Sequence, residues 1–216
     1  MRRGIRFRPV ALTLSLIVLA GAPSPAAAIT RNLAFDDGSA YTIDREGEAH
    51  VRPGTGVLSA VSETSSRINE ETNHARGGLT HPGSVTYTGR NQTVTLKIEL
   101  DYHAELQADV TTCCSAEADT TIAVYLRRRS DYAVIRRVEL VLDKRYLEIE
   151  GPITTVSGPT SPSRHINRSI QISSSMLKPD TKLTVAFRLY VGTLTRGWAH
   201  ARADSTIENI SGSLNW

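Results

Sequence analysis

The chain has 216 residues, of which 40% are hydrophobic, 22% charged and 6% aromatic, a composition typical of globular proteins rather than disordered or collagen-like ones. Its formal net charge is +3, but four arginines lie within residues 1–8, and the rest of the chain carries 21 basic and 22 acidic residues. This balance disfavours a uniformly basic nucleic-acid-binding protein, so we expect no nucleic-acid partner.

Residues 1–28 have the three-part layout of a secretory signal peptide. A basic start is followed by an apolar run from Val10 to Ala20 and then by small residues that end at Ala28. The apolar run is shorter than the ~20 residues that span a bilayer, and no second apolar stretch follows. We therefore expect cleavage near Ala28 and a mature, secreted chain without a membrane span.

The middle of the chain alternates between apolar and polar residues. From Val94 to Val110 the even positions are apolar and the odd positions are almost all polar, which is the pattern of a half-buried strand. At ~3.3 Å per residue this run would extend about 56 Å, so we predict a bend or bulge near Tyr102 that divides it into two strands. Further predicted strands are Thr121–Leu126, Val134–Leu142, Tyr146–Ile149, Ile166–Ile172, Leu183–Val191 and Trp198–Ala203.

Many short strands separated by turn residues indicate a β-sandwich or barrel. We predict an all-β, antiparallel sandwich of the jelly-roll type, with residues 29–216 forming a single domain. A short helix over Ser62–Glu71 and a loop over residues 72–83 are predicted between strands. The predicted core contains Val94, Leu96, Ile98, Leu100, Leu106, Val124, Leu140, Val185, Phe187 and Leu189.

Charge is unevenly distributed along the chain. Residues 31–120 carry 14 acidic and 7 basic residues, whereas residues 121–216 carry 8 acidic and 14 basic residues. In one compact domain this predicts an acidic and a basic region, although the order of the strands could interleave them. The basic region is either a solvated rim that protects strand edges or a surface for an anionic partner.

The segment Leu183–Ala203 is predicted to form a hairpin with Val191 opposite Gly197. In that register, Arg188, Tyr190, Trp198, His200 and Arg202 share one face. Aromatic rings beside arginines are suited to stacking on sugars or holding carboxylates, so these residues are the candidate ligand-binding site. The alternative is that a second sheet or a loop simply covers the two rings.

Two further patterns suggest an enzyme. The run from Glu99 through Asp101 and His103 to Glu105 resembles the Glu-x-Asp-x-Glu strand of jelly-roll glucanases, with His103 where the last glutamate stands in that motif. Paired carboxylates would imply a glycoside hydrolase, and Tyr190 with His200 would suit a polysaccharide lyase. Solvated outward-facing acids are the plainer interpretation, and no residue is assigned as catalytic.

No histidine pair has the spacing of a zinc site, so neither a metal nor a cofactor is predicted. Cys113 and Cys114 are the two cysteines of the chain and are adjacent. Export would place them where disulfides persist, but neighbouring Cα atoms are closer than an ordinary disulfide requires. A strained vicinal disulfide, two free thiols and an intermolecular bond all remain open, and the vicinal disulfide is our hypothesis.

Two functions follow from these patterns. One is a secreted, non-catalytic protein that binds an extracellular glycan, surface polymer or protein, with an anionic partner favoured by the arginines. The other is a secreted carbohydrate-active enzyme. Because no catalytic motif stands out and sandwiches serve both roles, we predict the binding protein.

Overall fold

The computed structural model describes residues 28–35, 37–42, 48–52, 56–89, 93–111, 114–149 and 155–216. These residues form thirteen β-strands and one short 3₁₀-helix, Ser174–Met176. No helix among them is long and apolar enough to cross a bilayer. The predicted signal peptide lies outside the described residues, apart from Ala28.

Two antiparallel sheets contain all of the described strands. The first sheet has seven strands in the order β10–β7–β13–β4–β3, with β11 also paired to β7 and β1 to β13. Their bounds are β1 Thr30–Leu33, β3 Glu48–Arg52, β4 Val57–Ser66, β7 Val94–Thr111, β10 Thr155–Thr160, β11 Ser163–Ile172 and β13 Ala199–Asn215.

The second sheet has six strands in the order β2–β5–β12–β8–β9, with β6 also paired to β12. Their bounds are β2 Asp37–Thr42, β5 Glu70–Thr80, β6 Val85–Tyr87, β8 Ser115–Arg128, β9 Val134–Glu148 and β12 Thr181–Arg196.

The strand order is that of a jelly roll. Consecutive strands cross from one sheet to the other at β4 to β5, β7 to β8, β9 to β10, and β12 to β13. The strand sets β4–β13–β7–β10 and β5–β12–β8–β9 then lie in opposite sheets, which is the arrangement of a jelly roll. The predicted fold class, an all-β antiparallel sandwich of the jelly-roll type, is confirmed.

The core lies between the two sheets and follows the predicted alternation. Nine of the ten predicted core residues are at most 2% exposed, and Leu140, on the edge strand β9, is partly buried against them. Phe187 contacts the Phe35 ring edge to face, with ring centroids 4.8 Å apart. The even positions of β7 and the odd positions of β12 therefore point inward, as the sequence predicts.

The predicted hairpin between Leu183 and Ala203 is wrong. These residues belong to β12 and β13, which lie in different sheets. The large residues Val185, Phe187 and Leu189 pair with β8, and the alanines of β13 pair with β7 and β4. Alternation identifies the face on which a residue lies, but it does not identify the neighbouring strand.

The predicted helix over Ser62–Glu71 and loop over residues 72–83 are also wrong, because β4 and β5 occupy these positions. Their inward positions include polar residues, which hides the strand pattern. Thr193 of β12 hydrogen-bonds Ser62 at 3.0 Å and Thr64 at 2.6 Å, all three side chains being buried. The buried hydroxyls satisfy one another, so polar residues are tolerated between the sheets.

The predicted division of this run into two strands near Tyr102 is wrong. The strand β7 is continuous over 18 residues, because β11 covers one part of its edge and β10 the other. The irregularity lies instead in β13, between Glu208 and Ser211. The two strands predicted at Val134–Leu142 and Tyr146–Ile149 are likewise one strand, β9.

Candidate functional site

The structure divides the five predicted ligand-binding residues into three groups. Arg188 and Tyr190 lie on the outer face of the second sheet, on β12. His200 and Arg202 lie on the outer face of the first sheet, on β13. Trp198 lies in the turn between these strands and is 62% exposed. The crossing of the chain from one sheet to the other separates residues that a hairpin would have brought together.

Arg188 and Tyr190 belong to a larger cluster, which we call the arginine–tyrosine face. Its centre is a pair of tyrosines on neighbouring strands, Tyr190 of β12 and Tyr125 of β8, whose hydroxyl oxygens are 2.9 Å apart. Small residues, Ala123 and Ala186, lie beside the rings and form an apolar floor. The rings can therefore lie low on the sheet, and Tyr125 is only 9% exposed.

Four arginines surround the two rings. The guanidinium carbons of Arg127, Arg188 and Arg137 are 5.0, 5.5 and 5.9 Å from the centroid of the Tyr125 ring. Arg76 of β5 is 5.5 Å from the centroid of the Tyr190 ring. These distances are within the range of cation–π attraction.

Burial, together with the hydrogen bond to Tyr190, raises the pKa of Tyr125. The Tyr125 hydroxyl therefore stays protonated at neutral pH and adds no negative charge beside the arginines. Arg137 also pairs with Glu139 at 2.5 Å, so a carboxylate already lies against one of the four guanidinium groups. The face combines three half-buried arginines and the exposed Arg137 with an apolar floor.

A cavity of about 370 Å³ opens beside the tyrosine pair. Side chains from four strands line it: Arg76 and His74 from β5, Tyr190 from β12, Tyr125 and Asp119 from β8, and Arg137 from β9. Its volume falls at the low end of the range for small-molecule sites. The cavity can hold a small ligand or one unit of a polymer.

The outer face of the first sheet has the opposite character. On β4, β7 and β13 it carries the carboxylates Glu63, Glu99, Asp101, Glu105, Asp109, Asp204 and Glu208, with Lys97 and Arg202 as cations. Each sheet takes strands from both halves of the chain. The predicted acidic and basic regions therefore do not follow the two halves of the sequence, and charge is distributed by sheet face instead.

His200 and Arg202 lie within this acidic face. The Nε2 and Nδ1 atoms of His200 are 3.0 Å from Glu63 and 3.4 Å from Asp109, and Arg202 donates to Glu63 at 2.9 Å. The hydrogen bond with His200 is the main cause that lowers the pKa of Glu63, and the positive charge of Arg202 lowers it further. Both side chains of this pair are thus already bonded to carboxylates.

The acid run that resembles the glucanase motif forms a similar network. Nε2 of His165, on β11, is 3.2 Å from Glu99, and its Nδ1 is 2.8 Å from Asp101. Asn209 also donates to Asp101 at 2.7 Å. Hydrogen bonds from Asn209 and His165 lower the pKa of Asp101. The two carboxylates therefore hold an imidazole in place.

His165 should titrate above its ordinary range. The hydrogen bond to Asp101, followed by the charges of Asp101 and Glu99, raises the pKa of His165 above 6.5. Because the folded pKa is higher than the unfolded one, the resulting stabilisation is complete below pH ~6.5 and is lost as the pH rises through the folded pKa. NMR titration should show the pKa of His165 falling towards 6.5 in Asp101→Asn.

The matched control is Asp204→Asn, which removes a carboxylate from the same face next to Arg202 rather than His165. It should leave the titration of His165 nearly unchanged. An equal shift in both variants would mean that the general field of the face, and not the Asp101 contact, sets this pKa.

Cys114 and Trp198 meet at one end of the sandwich. Cys114 is buried, and its Sγ accepts a hydrogen bond from the backbone N–H of Trp198 at 3.0 Å. The backbone N–H of Thr111 donates to the carbonyl of Trp198 at 2.9 Å. Cys113 lies outside the described residues, so the vicinal disulfide stays a prediction.

Within the described ranges, no three histidine, cysteine or acidic side chains are grouped so that they could hold a metal ion.

Sequence reasoning missed four residues of the arginine–tyrosine face: Arg76, Tyr125, Arg127 and Arg137. A partial signal was present, because Val124 was predicted to point inward and its neighbours Tyr125 and Ala123 must then point outward. Arg127 and Arg137 belong to the basic second half of the chain, for which a surface for an anionic partner was one of two interpretations. Their convergence on Tyr190 depends on the order of β5, β12, β8 and β9, which one sequence does not reveal.

No family model matches the chain, and no curated protein matches its sequence. Among solved structures, a chain of the infectious bursal disease virus Gt strain is similar over 96% of this chain and 43% of its own, with 9% identity and a TM-score of 0.28. A chain of the Gx strain of this virus is similar over 84% of this chain and 40% of its own, with 11% identity and a TM-score of 0.28.

The VP2 subviral particle of the same virus gives a TM-score of 0.22 at 9% identity. The chain spans less than half of the length of each of these viral chains. Likeness at these scores carries no argument about function, so the function is argued from the site alone.

Proposed function

We propose that the protein is a secreted, non-catalytic jelly-roll domain that binds an extracellular anionic partner, foremost an acidic glycan. Its site is the arginine–tyrosine face. The observation that carries this proposal is the position of four guanidinium groups within 6 Å of two tyrosine rings joined through their hydroxyls. Secretion rests on the signal-peptide pattern of residues 1–28.

The chemistry of the face favours an anion. Guanidinium groups bind carboxylate, sulfate and phosphate through paired, charge-assisted hydrogen bonds. The apolar floor beneath the rings lowers the local dielectric, which strengthens those contacts compared with fully exposed ones. The aromatic rings add flat apolar surface on which a sugar ring can lie.

The competing enzyme hypothesis has less support. A lyase that used Tyr190 and His200 together has no support, because these residues lie on the outer faces of different sheets. For a hydrolase, Glu99 and Asp101 would have to act on a glycosidic bond, but both contact His165. Two carboxylates that hold a shared imidazole are explained by that ion-pair network alone.

A binding panel tests the proposal. The purified chain should bind acidic polysaccharides, such as polygalacturonate, and should not bind neutral dextran. Affinity should fall between physiological salt and about 0.5 M salt, because the screening length shrinks from ~8 Å to roughly 4 Å. Equal binding of neutral and acidic polymers, binding that is insensitive to salt, or release of new reducing or unsaturated ends would overturn the proposal.

A further inference from the structure

A glycine of β12, Gly192, lines the cavity beside the tyrosine pair. Gly192 lies in the interior of β12, on its outward side between His74 of β5 and Asp119 of β8. A Cβ at this position would be 2.5 Å from Oδ1 of Asp119 and 3.0 Å from Nδ1 of His74. Glycine inside a strand weakens it, and often marks a place where another group approaches closely.

The missing side chain allows two polar groups to converge above the strand. Asp119 and His74 both lean over Gly192 from opposite sides, and both line the cavity of about 370 Å³. Burial is the largest cause of a raised pKa at Asp119, and the negative charge of the nearby Glu117 is the second. The carboxyl group is thus partly removed from water, in the environment where a hydrogen bond to a ligand gains most.

The same cavity also contains cationic groups. Arg76 and Arg137 enter it from β5 and β9, and the two tyrosines form the wall between them. One part of the cavity is therefore suited to an anion, and the part above Gly192 is suited to hydroxyl groups. A carboxylate such as Asp119 accepts hydrogen bonds but cannot donate them when ionised.

We infer that the cavity above Gly192 binds a uronic-acid residue of an acidic polysaccharide. This inference rests on the proposed function and narrows its ligand class. The sugar carboxylate lies between Arg76 and Arg137, the ring hydroxyls donate to Asp119, and His74 exchanges hydrogen bonds with the same hydroxyls. Acidic peptides and polyphosphates lack neighbouring ring hydroxyls, so they use the arginines alone.

The test compares two oligomers of matched length and charge, oligogalacturonate and oligoglutamate, by titration calorimetry at one salt concentration. The wild-type chain should prefer oligogalacturonate by about tenfold, the effect of one hydrogen bond to a charged group. Gly192→Ala fills the space above the strand, and Asp119→Ala removes the hydrogen-bond acceptor. In both variants the ratio of the affinities for oligogalacturonate and oligoglutamate should fall close to one, while oligoglutamate still binds.

The control Asp204→Asn, on the opposite sheet face, should keep the tenfold preference. Persistent binding of oligoglutamate shows that the variants are folded. Equal binding of the two oligomers by the wild-type chain, or an unchanged preference in both variants, would overturn the uronate inference and leave anion binding standing. Failure of both oligomers to bind would overturn the proposed function together with this inference.

Discussion

Reversing the charge of Arg76 and Arg137 together is expected to weaken binding of acidic polymers by at least about a hundredfold. Both residues line the cavity, and they reach it from opposite sides, on β5 and β9. Each charge-assisted hydrogen bond contributes roughly 1.5–3 kcal/mol, which is tenfold or more in affinity. Glutamate adds repulsion to this loss. Titration of the Arg76→Glu, Arg137→Glu variant with oligogalacturonate measures the effect.

The opposite sheet offers a matched control. Lys97→Glu together with Arg202→Glu changes the net charge by the same amount, on a face that is already acidic. This control should weaken binding only slightly, through long-range repulsion that salt screens. A similar loss in both double variants would show that overall charge, and not the arginine–tyrosine face, governs binding.

Replacing Phe187 by alanine is expected to lower the free energy of unfolding by about 3–5 kcal/mol. The side chain is 0% exposed and lies on β12, between β8 and β5 in the second sheet. It also contacts Phe35 edge to face, a geometry that adds roughly 0.5–1.5 kcal/mol beyond burial. Urea unfolding, followed by circular dichroism, measures the change.

Leu142→Ala is the control for this variant. Leu142 lies on the edge strand β9 of the same sheet and is 66% exposed, so its replacement should change the free energy of unfolding by no more than about 0.5 kcal/mol. If both variants lost similar stability, the assignment of Phe187 to the core of the sandwich would be contradicted.

The fold could be predicted where alternation is strong. Along β7 and β12, apolar residues at every second position identified the inward face, and the burial of Leu96, Leu100 and Phe187 follows this pattern. The prediction failed along β4 and β5, because inward positions such as Ser62 and Thr64 are polar and form hydrogen bonds with Thr193 across the sandwich. Periodicity of hydrophobicity cannot detect strands of this kind.

The candidate site was predicted in part for a related reason. Arg188 and Tyr190 do share an outward face, since they are two residues apart on one strand. Trp198, His200 and Arg202 were assigned to the same face only because consecutive strands were assumed to pair. In a jelly roll these strands lie in different sheets, and the true neighbours of Tyr190 come from β5 and β8, more than 60 residues away in the sequence.

The most direct test of the central claim is to map the bound anion on the protein surface. Backbone amide shifts in NMR spectra, recorded while oligogalacturonate is added at constant salt, report where the ligand lies. We expect the largest shifts around Arg76, Tyr125, Arg188 and Gly192, with few changes around His165 and His200 on the opposite face. Shifts concentrated on β4, β7 and β13, or no saturable shifts at all, would contradict the assignment of the arginine–tyrosine face as the binding site.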